Sequence, residues 1–564
     1  MRPIIDAVLF DVGGTLKRST RNTQARRRES LPALNALLGT HLTAEEWDER
    51  LLPRAREYKR WAEETLGDLP EEEIWTRWML PELPEELIRP RALALHRAWR
   101  RAFATWEMFP QADTVVKELF RRGYRLGVIS NTSSRSDALE SLERYGILDC
   151  FEVVALSAVH GRRKPDSLLF ELATQSMEAA PERCAFVGNR RDTDLAGARR
   201  AGFAKVVLLR RPTPKAEDLR AAALVPNHWI DGLEELLEIF PPRFSAKPLG
   251  SRRLASVSGP RWKACLSTMW GSPQFPHLDR FLRSAVEMGF SGVELNHELD
   301  SAIIAGTNLA PYHISSVHEP CPADVPTGRM AVLDWQVSSE DEPKRLQAVR
   351  MAKRSIFLAR GLGAGVVVVH PGNIRGDQTL EKELRTLFYA GEVDSERYRE
   401  LRGRLVDHRR QLAAPRIEAA VRSLSELLAC ARDEGILLGL ENRYHYLDIP
   451  TPDEMERLLA CAAPDALGMV YDVGHAQAME RLGFFTHREW LERFADRIVE
   501  VHLHDVKGVD DHLAPGLGEV DFARLAPWLP AGALRTCEIR PQATPEQIVA
   551  GMQTLVRLGC VEAC

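Results

Sequence analysis

The sequence predicts an α/β protein of two units in series: a Rossmann-like parallel sheet with an inserted helical cap, followed by a (β/α)8 TIM barrel. Three observations carry this expectation. Ahead of residue 240, β-branched runs (AVLF, RLGVIS, CAFVG, KVVLL) alternate with amphipathic stretches, the pattern of parallel strands joined by crossover helices. After residue 262, eight strand-like runs each lead into a turn and a helical stretch, which is the repeat and the size of a (β/α)8 barrel. Between them, PPRFSAKPLGSRRLASVSGPR has neither a helical nor an alternating period and reads as a linker. The expected domains are therefore 1–240, a linker over 241–262, and 263–564.

At 564 residues the chain is too long for one ordinary domain, and 45% hydrophobic with 27% charged residues is the composition of a globular protein with large cores. A net charge of −5 gives no reason to expect nucleic acid as a partner. Nine scattered cysteines without a C-x-x-C pair read as reduced thiols. The opening MRPIIDAVLFDV carries acids and precedes a glycine turn, unlike a signal peptide, and no apolar run is long enough to span a bilayer. A cytoplasmic protein with no membrane contact is the expectation, and a homo-oligomer is compatible with it.

In the first unit, a charged helical block over about 19–105 separates the first two strand runs and is too long for a loop, hence the cap. The strand ends carry the chemistry. LFDVGGTL places Asp11 beside glycines and Thr15, where free backbone N–H groups could cradle a phosphate. LGVISNT puts Ser130 and Asn131 at the same rim, followed by Lys164-Pro165 and then VGNRRDTDLAGARRAG with Asp192 and Asp194. Asp192 reads as a solvated charge at a helix start.

These four segments, in this order, resemble the haloacid dehalogenase (HAD) superfamily of aspartate-nucleophile hydrolases. The resemblance implies Asp11 as nucleophile, Ser130 and Lys164 on the phosphoryl group, Thr15 and Asn131 as substrate contacts, and Mg2+ held by Asp11 and Asp194. Two positions depart from the pattern. Gly13 stands where phosphatases of the family carry the acid that protonates the leaving group, and Asn189 stands where they carry an aspartate. A regulatory module without activity, or a dehalogenase-like reaction, therefore stay open beside a phosphohydrolase.

In the second unit the runs are KACLS, GVEL, ISSVH, GVVVVH, ILLGLE, GMVYD, IVEVHLH and RTCEI. The charged interval 375–432 reads as a helical excursion near the mouth of the barrel. A TIM barrel gathers its catalytic groups at the carboxyl ends of its strands. Here those ends read Glu294, His318, His370, Glu441, Asp472, His502 and Glu538, with His475, His504, Asp510 and His512 close behind. His, Asp and Glu without thiolate suit zinc, manganese, magnesium or cobalt. Glu294, His297 and His313 read as structural, for His504 that reading stands beside a substrate contact, and His475 reads as a substrate contact as well as a candidate ligand.

The motifs VHEP, VVVHPG, GLENR, YDVGHA, VHLHDVKG, DDHLAPGLGEVDF and CEIRP make this half resemble the xylose-isomerase-like TIM-barrel superfamily, which includes sugar (phosphate) isomerases and epimerases and endonuclease IV. In an epimerase-like member, Glu441, Asp472, His502 and Glu538 would hold one divalent metal, the two glutamates serving as acid and base. In an endonuclease IV-like member three zinc ions would be bound: His318, His370 and Glu441 on one, the quartet on the second, and His475, Asp510 and His512 on the third. Sugar chemistry is preferred, because the loops after the first two strands lack a basic cluster with intercalating aromatics. Two such units on one chain suggest a bifunctional enzyme acting in succession on a small phosphorylated sugar or polyol.

Overall fold

The computed structural model describes residues 5–211, 221, 223–243, 261–271 and 277–564. The chain divides into two compact units, Met1–Pro242 and Arg243–Cys564. Residues 244–260 of the expected linker and 272–276 of the loop after the first barrel strand lie outside the described residues.

The first unit is built on a six-stranded parallel sheet. Its strands are β1 (Ala7–Phe10), β4 (Arg125–Ser130), β5 (Phe151–Leu156), β6 (Cys184–Gly188), β7 (Lys205–Leu209) and β8 (His228–Ile230). Their order across the sheet is β5-β4-β1-β6-β7-β8. β1 and β4 are buried along their whole length, as their unbroken apolar runs require of central parallel strands. Two strands, β5 and β8, exceed the four expected. FEVVAL opens with a charge after one aromatic, and HWI is only three residues long, so neither makes a clear apolar run.

The inserted block is helical from Gln24–Ser30 through Ala92–Phe103 and has its own core around Trp47, Leu51, Trp75 and Leu95. Its ends are not helical, in contrast to the expectation. Lys17–Arg21 (β2) and Ala104–Met108 (β3) pair antiparallel and tie the cap to the sheet. Such a ribbon is invisible to periodicity because its pairing partners lie 83 (Arg21↔Ala104) to 91 (Lys17↔Met108) residues apart.

The second unit is a closed barrel whose eight strands match the eight runs read from sequence. They are β9 (Trp262–Ser267), β10 (Phe290–Leu295), β11 (Ile314–His318), β12 (Val366–Val369), β13 (Leu437–Glu441), β14 (Leu467–Asp472), β15 (Ile498–His502) and β18 (Leu534–Cys537). A small antiparallel pair, β16 (Asp505–Lys507) and β17 (Asp510–Leu513), stands between the last two. The interval 375–432 is not a separate excursion. It holds helix Gln378–Tyr389 and most of the 39-residue helix Glu396–Glu434, whose buried apolar positions make it the crossover into β13. Among the described residues, no helix is long and apolar enough to cross a membrane.

Candidate active sites of the two units

At the carboxyl end of the open sheet, Asp11, Ser130, Lys164 and Asp194 are buried together. Lys164 Nζ lies 2.8 Å from Asp11 Oδ1 and 2.8 Å from Asp194 Oδ1, and donates to the Ile129 carbonyl at 2.8 Å. Ser130 Oγ approaches the same Asp11 oxygen at 3.4 Å. Burial opposes the lysine's charge, yet the two carboxylates around it hold its pKa above the ordinary value. Burial pushes the Asp11 carboxyl up, against the pull of Lys164.

Asp194 is positioned by its own loop, its Oδ2 accepting from the backbone N–H groups of Asn189 (2.9 Å) and Arg190 (3.1 Å). Asn189 donates to the Gly13 carbonyl at 3.3 Å, while its buried Oδ1 finds no hydrogen-bond partner among the described residues. Asp11, Asp194 and this orphaned oxygen are hard oxygen donors of the kind Mg2+ takes, so the residues present fit that ion. Gly14 has φ +88°, and a Cβ there would fall 2.0 Å from Asn189 Nδ2, so the turn requires glycine.

Three first-unit expectations are corrected. Thr15 is fully buried, does not line the cavity at Asp11, and its hydroxyl has no partner among the described residues, so it offers no substrate contact. Asn131 uses both ends of its amide on the Lys164 backbone, accepting from N–H at 2.8 Å and donating to C=O at 3.0 Å. It thereby positions the lysine. Asp192 is not a lone solvated charge but is paired with Arg190.

In the barrel, ligand-competent atoms of Glu441, Asp472, His502 and Glu538 all lie within 4.8 Å of one another, and all four residues are buried. Sequence places each of them at a strand end: β13 and β14 end on Glu441 and Asp472, β15 ends on His502, and Glu538 follows β18 directly. His502 Nδ1 lies 2.9 Å from Glu441 Oε1 and 3.2 Å from Glu538 Oε2. The alignment is nevertheless not that of a hydrogen bond. Glu441 Oε1 and both ring nitrogens of His502 are buried without a hydrogen-bond partner among the described residues. His502 Nδ1 faces Glu441, Asp472 and Glu538, whereas Nε2 faces Glu294 and Glu500, so Glu441 Oε1 and Nδ1 are the orphaned donors that fit a divalent cation with Asp472 and Glu538.

Asp472 also caps the helix Val473–Arg481, accepting from His475 N–H at 2.6 Å. Asn442 braces it by bonding to both its backbone N–H and C=O. Although burial opposes ionisation, the Arg443 guanidinium and His370 hold the Glu441 carboxyl well below the usual carboxylate range.

His318, His370 and Glu441 form a second cluster, with His370 Nε2 2.8 Å from Glu441 Oε2. The guanidinium of Arg443 sits against both of those atoms. A cation supplied by the chain thus already occupies this fork. His475, His504 and His512 form a third cluster. His475 Nδ1 bonds the Asn442 carbonyl at 3.0 Å and His512 Nδ1 the Glu538 carbonyl at 2.9 Å.

Two barrel expectations are corrected. Asp510 is not with His475 and His512: its side chain is 55% exposed and is clamped through both oxygens by Arg540. Alternation along β17 turns its neighbour Asp511 inward instead, 3.7 Å from His475 Nε2 and 3.6 Å from His512 Nε2. His504 makes no substrate contact, because it is fully buried and both its nitrogens are engaged. Nε2 bonds Asp472 at 2.9 Å and Nδ1 accepts from His512 N–H at 2.8 Å.

Sequence reading missed the place of three groups in the site. His297, expected to be structural, has its ring 5.2 Å from that of His318 and 6.1 Å from that of His370. Glu500 lies two residues before His502 on the same strand face. With Glu294 it fills the barrel interior beside His502, where burial and the nearby Glu294 push its carboxyl up to about 7. Arg443, two residues past Glu441, was visible in GLENR but not as a cation aimed into the site.

Residues 5–202 match the family model for haloacid dehalogenase-like hydrolases, and residues 282–557 match that for the xylose isomerase-like TIM barrel. The chain is 29% identical over 237 residues to a glyceraldehyde 3-phosphate phosphatase of Methanopyrus kandleri, a stretch covering 42% of this chain and 97% of that protein. It is 34% identical over 137 residues to the enzyme of the same description from Methanothermobacter thermautotrophicus, 24% of this chain and 60% of that one. Among solved structures, a D-tagatose 3-epimerase-like protein aligns with 22% identity and a TM-score of 0.38 over 52% of this chain and 95% of its own. The chain is therefore an enzyme in which a haloacid dehalogenase-like hydrolase domain is fused to a xylose isomerase-like TIM barrel.

Proposed function

We propose that the chain is a bifunctional, metal-dependent enzyme. In this reading the barrel isomerises or epimerises a small sugar or sugar phosphate at a single divalent metal, and the first unit hydrolyses a phosphomonoester through Asp11. The observation that carries the barrel reading is the pair of orphaned donors, Glu441 Oε1 and His502 Nδ1, beside Asp472 and Glu538. A divalent ion held there would polarise a substrate carbonyl and its neighbouring hydroxyl. Glu441 and Glu538 would take and return the proton at carbon, with His504 and Asn442 fixing Asp472 and Arg443 holding Glu441 ionised.

The number of ions decides between this reading and a multi-zinc phosphoesterase. Arg443 supports one, because its guanidinium stands in the His370–Glu441 fork. In the third cluster His504 has no nitrogen to spare, but Asp511 lies 3.7 Å from His475 Nε2 and 3.6 Å from His512 Nε2, so the metal count is what tests an ion there. Elemental analysis of the purified protein is expected to give about one transition or alkaline-earth ion per barrel, rising toward two in Arg443→Met. Two or three zinc ions in the wild type would replace the epimerase reading with phosphoester hydrolysis. In D2O, the sugar substrate should exchange its C–H proton, and Glu441→Gln and Glu538→Gln should each abolish that exchange.

For the first unit, Lys164 pairs with Asp11, and Ser130 and Lys164 would face the phosphoryl oxygens. Mg2+ held by Asp11, Asp194 and Asn189 Oδ1 would add charge neutralisation. Asp11→Asn is expected to lower phosphate release by about three orders of magnitude. Phosphate release unchanged by that substitution would assign the unit a regulatory role.

A further inference from the structure

Gly13 lines two cavities of the first unit. One holds Asp11, Lys164 and Asp194, and the other, of about 650 Å³, lies between sheet and cap. Trp106, Asn131 and Arg163 also line both, so the two cavities adjoin and a group esterified to a phosphate at Asp11 can reach the second. The walls of that cavity are aromatic: Tyr58, Trp75, Trp99, Phe103 and Trp106, with Met79.

None of the described residues lining it is a carboxylic acid. Its basic groups are largely neutralised or engaged. Arg163 is paired with Asp68 at 2.8 Å, Arg100 with Asp137 at 2.8 Å, and Lys17 Nζ donates to Ser141 at 2.9 Å while lying 5.1 Å from the Trp106 ring. Tyr58 is hydrogen-bonded to Asp68, and burial pushes His96 down to about 4, so neither offers a proton at neutral pH. At Gly13 itself, a Cβ would meet nothing within 4 Å. The leaving-group side of the site therefore combines open space, flat apolar walls and no carboxylic acid.

We propose that this unit hydrolyses aryl phosphate monoesters, with the ring seated in the aromatic cavity and the phenolate leaving without the help of a carboxylic acid. The proposal rests on the reading of the first unit as an Asp11-dependent phosphohydrolase. An Asp11 oxygen bonds to phosphorus as the bond from phosphorus to the aryl oxygen breaks. The phenolate leaves with that electron pair and takes a proton from water. A second water hydrolyses the acyl phosphate, restoring the Asp11 carboxylate and releasing phosphate and the proton that neutralises the hydroxide. Aromatic walls also stack on sugar C–H faces, but an alkoxide is far more basic than a phenolate, whose conjugate acid has a pKa of about 10, and leaves poorly unprotonated. The first unit's ester is then not the barrel's sugar.

The test is phosphate release by the full chain from substituted phenyl phosphates, 1-naphthyl phosphate and alkyl phosphates of equal charge, with Gly13→Asp and Trp99→Ala alongside. We expect wild-type kcat to fall steeply with leaving-group pKa and to be at least a hundredfold lower for alkyl than for phenyl phosphates. Gly13→Asp should raise kcat for alkyl phosphates at least tenfold and flatten that slope. Trp99→Ala should raise KM for 1-naphthyl phosphate at least fivefold. Alkyl esters cleaved within threefold of phenyl esters by the wild type, or a slope that Gly13→Asp leaves unchanged, would overturn the proposal while leaving the phosphohydrolase reading intact. Release from no ester by a folded protein would overturn both.

Discussion

The two sites handle buried carboxylates in opposite ways. In the first unit, Asp11 and Asp194 share the ammonium of Lys164, 2.8 Å from each, so the chain supplies the compensating charge itself. In the barrel, Glu441, Asp472 and Glu538 surround His502 at spacings that leave donors without hydrogen bonds, and Arg443 compensates one side of Glu441 alone. A buried charge without a partner is costly, so the first site is balanced mainly by a lysine of the chain, whereas the second leaves buried donors that an ion would complete. The difference teaches that two halves of one chain can balance buried carboxylates by different means, the first mainly with a lysine of its own and the second with donors left open to an ion.

The largest test of that contrast is to remove the internal cation. Lys164→Met leaves two buried carboxylates facing each other and is expected to cost the first unit about 3–5 kcal/mol in chelator-containing buffer. Hydrogen exchange confined to peptides of the first unit measures it, and a loss under 1 kcal/mol would mean that Lys164 is not what holds the two carboxylates together. Next is removal of the ion. Chelation should lower the stability of the barrel by about 2.7 kcal/mol relative to free metal at a hundred times its Kd, and leave the first unit far less changed. Equal losses in both units would erase the distinction.

The smallest effect concerns Lys17, whose ammonium burial pushes down to about 8 from an ordinary 10.5. Between those values the unfolded chain holds a proton that the folded one lacks, so stability rises as pH rises from 8 toward 10.5. Lys17→Met should remove that rise, of the order of 2 kcal/mol, measured as the difference between wild type and variant in urea unfolding of the first unit. A rise that persists in the variant would belong to other groups.

The four-residue cluster of the barrel was legible because a strand end fixes where a side chain points: one residue later or earlier, it would face the helices. Glu441, Asp472 and His502 each occupy the last strand position, and Glu538 the first position after one. Asp510 failed for the same reason turned around. In D-D-H, sequence does not say which aspartate a twisted two-stranded ribbon turns inward, and a salt bridge to Arg540, 30 residues on, fixes Asp510 outside. His504 looked like a second ligand on the strand face of His502, and only the hydrogen bonds to Asp472 and His512 N–H show its nitrogens already engaged.

By itself, the sequence determined the two α/β units, all eight barrel strands and the residues at their carboxyl ends, because period, strand length and turn chemistry are properties of neighbouring residues. It also determined that Gly13 and Asn189 depart from the phosphatase pattern. The tertiary structure alone decided which charges compensate which: Lys164 between two aspartates, Arg443 in the fork of the second cluster, Asp511 in place of Asp510. It alone placed five aromatic side chains of the first unit around a cavity beside Gly13. These are contacts between residues tens to more than a hundred positions apart, set by packing and by the cost of burying an unpaired charge, and no local pattern encodes them.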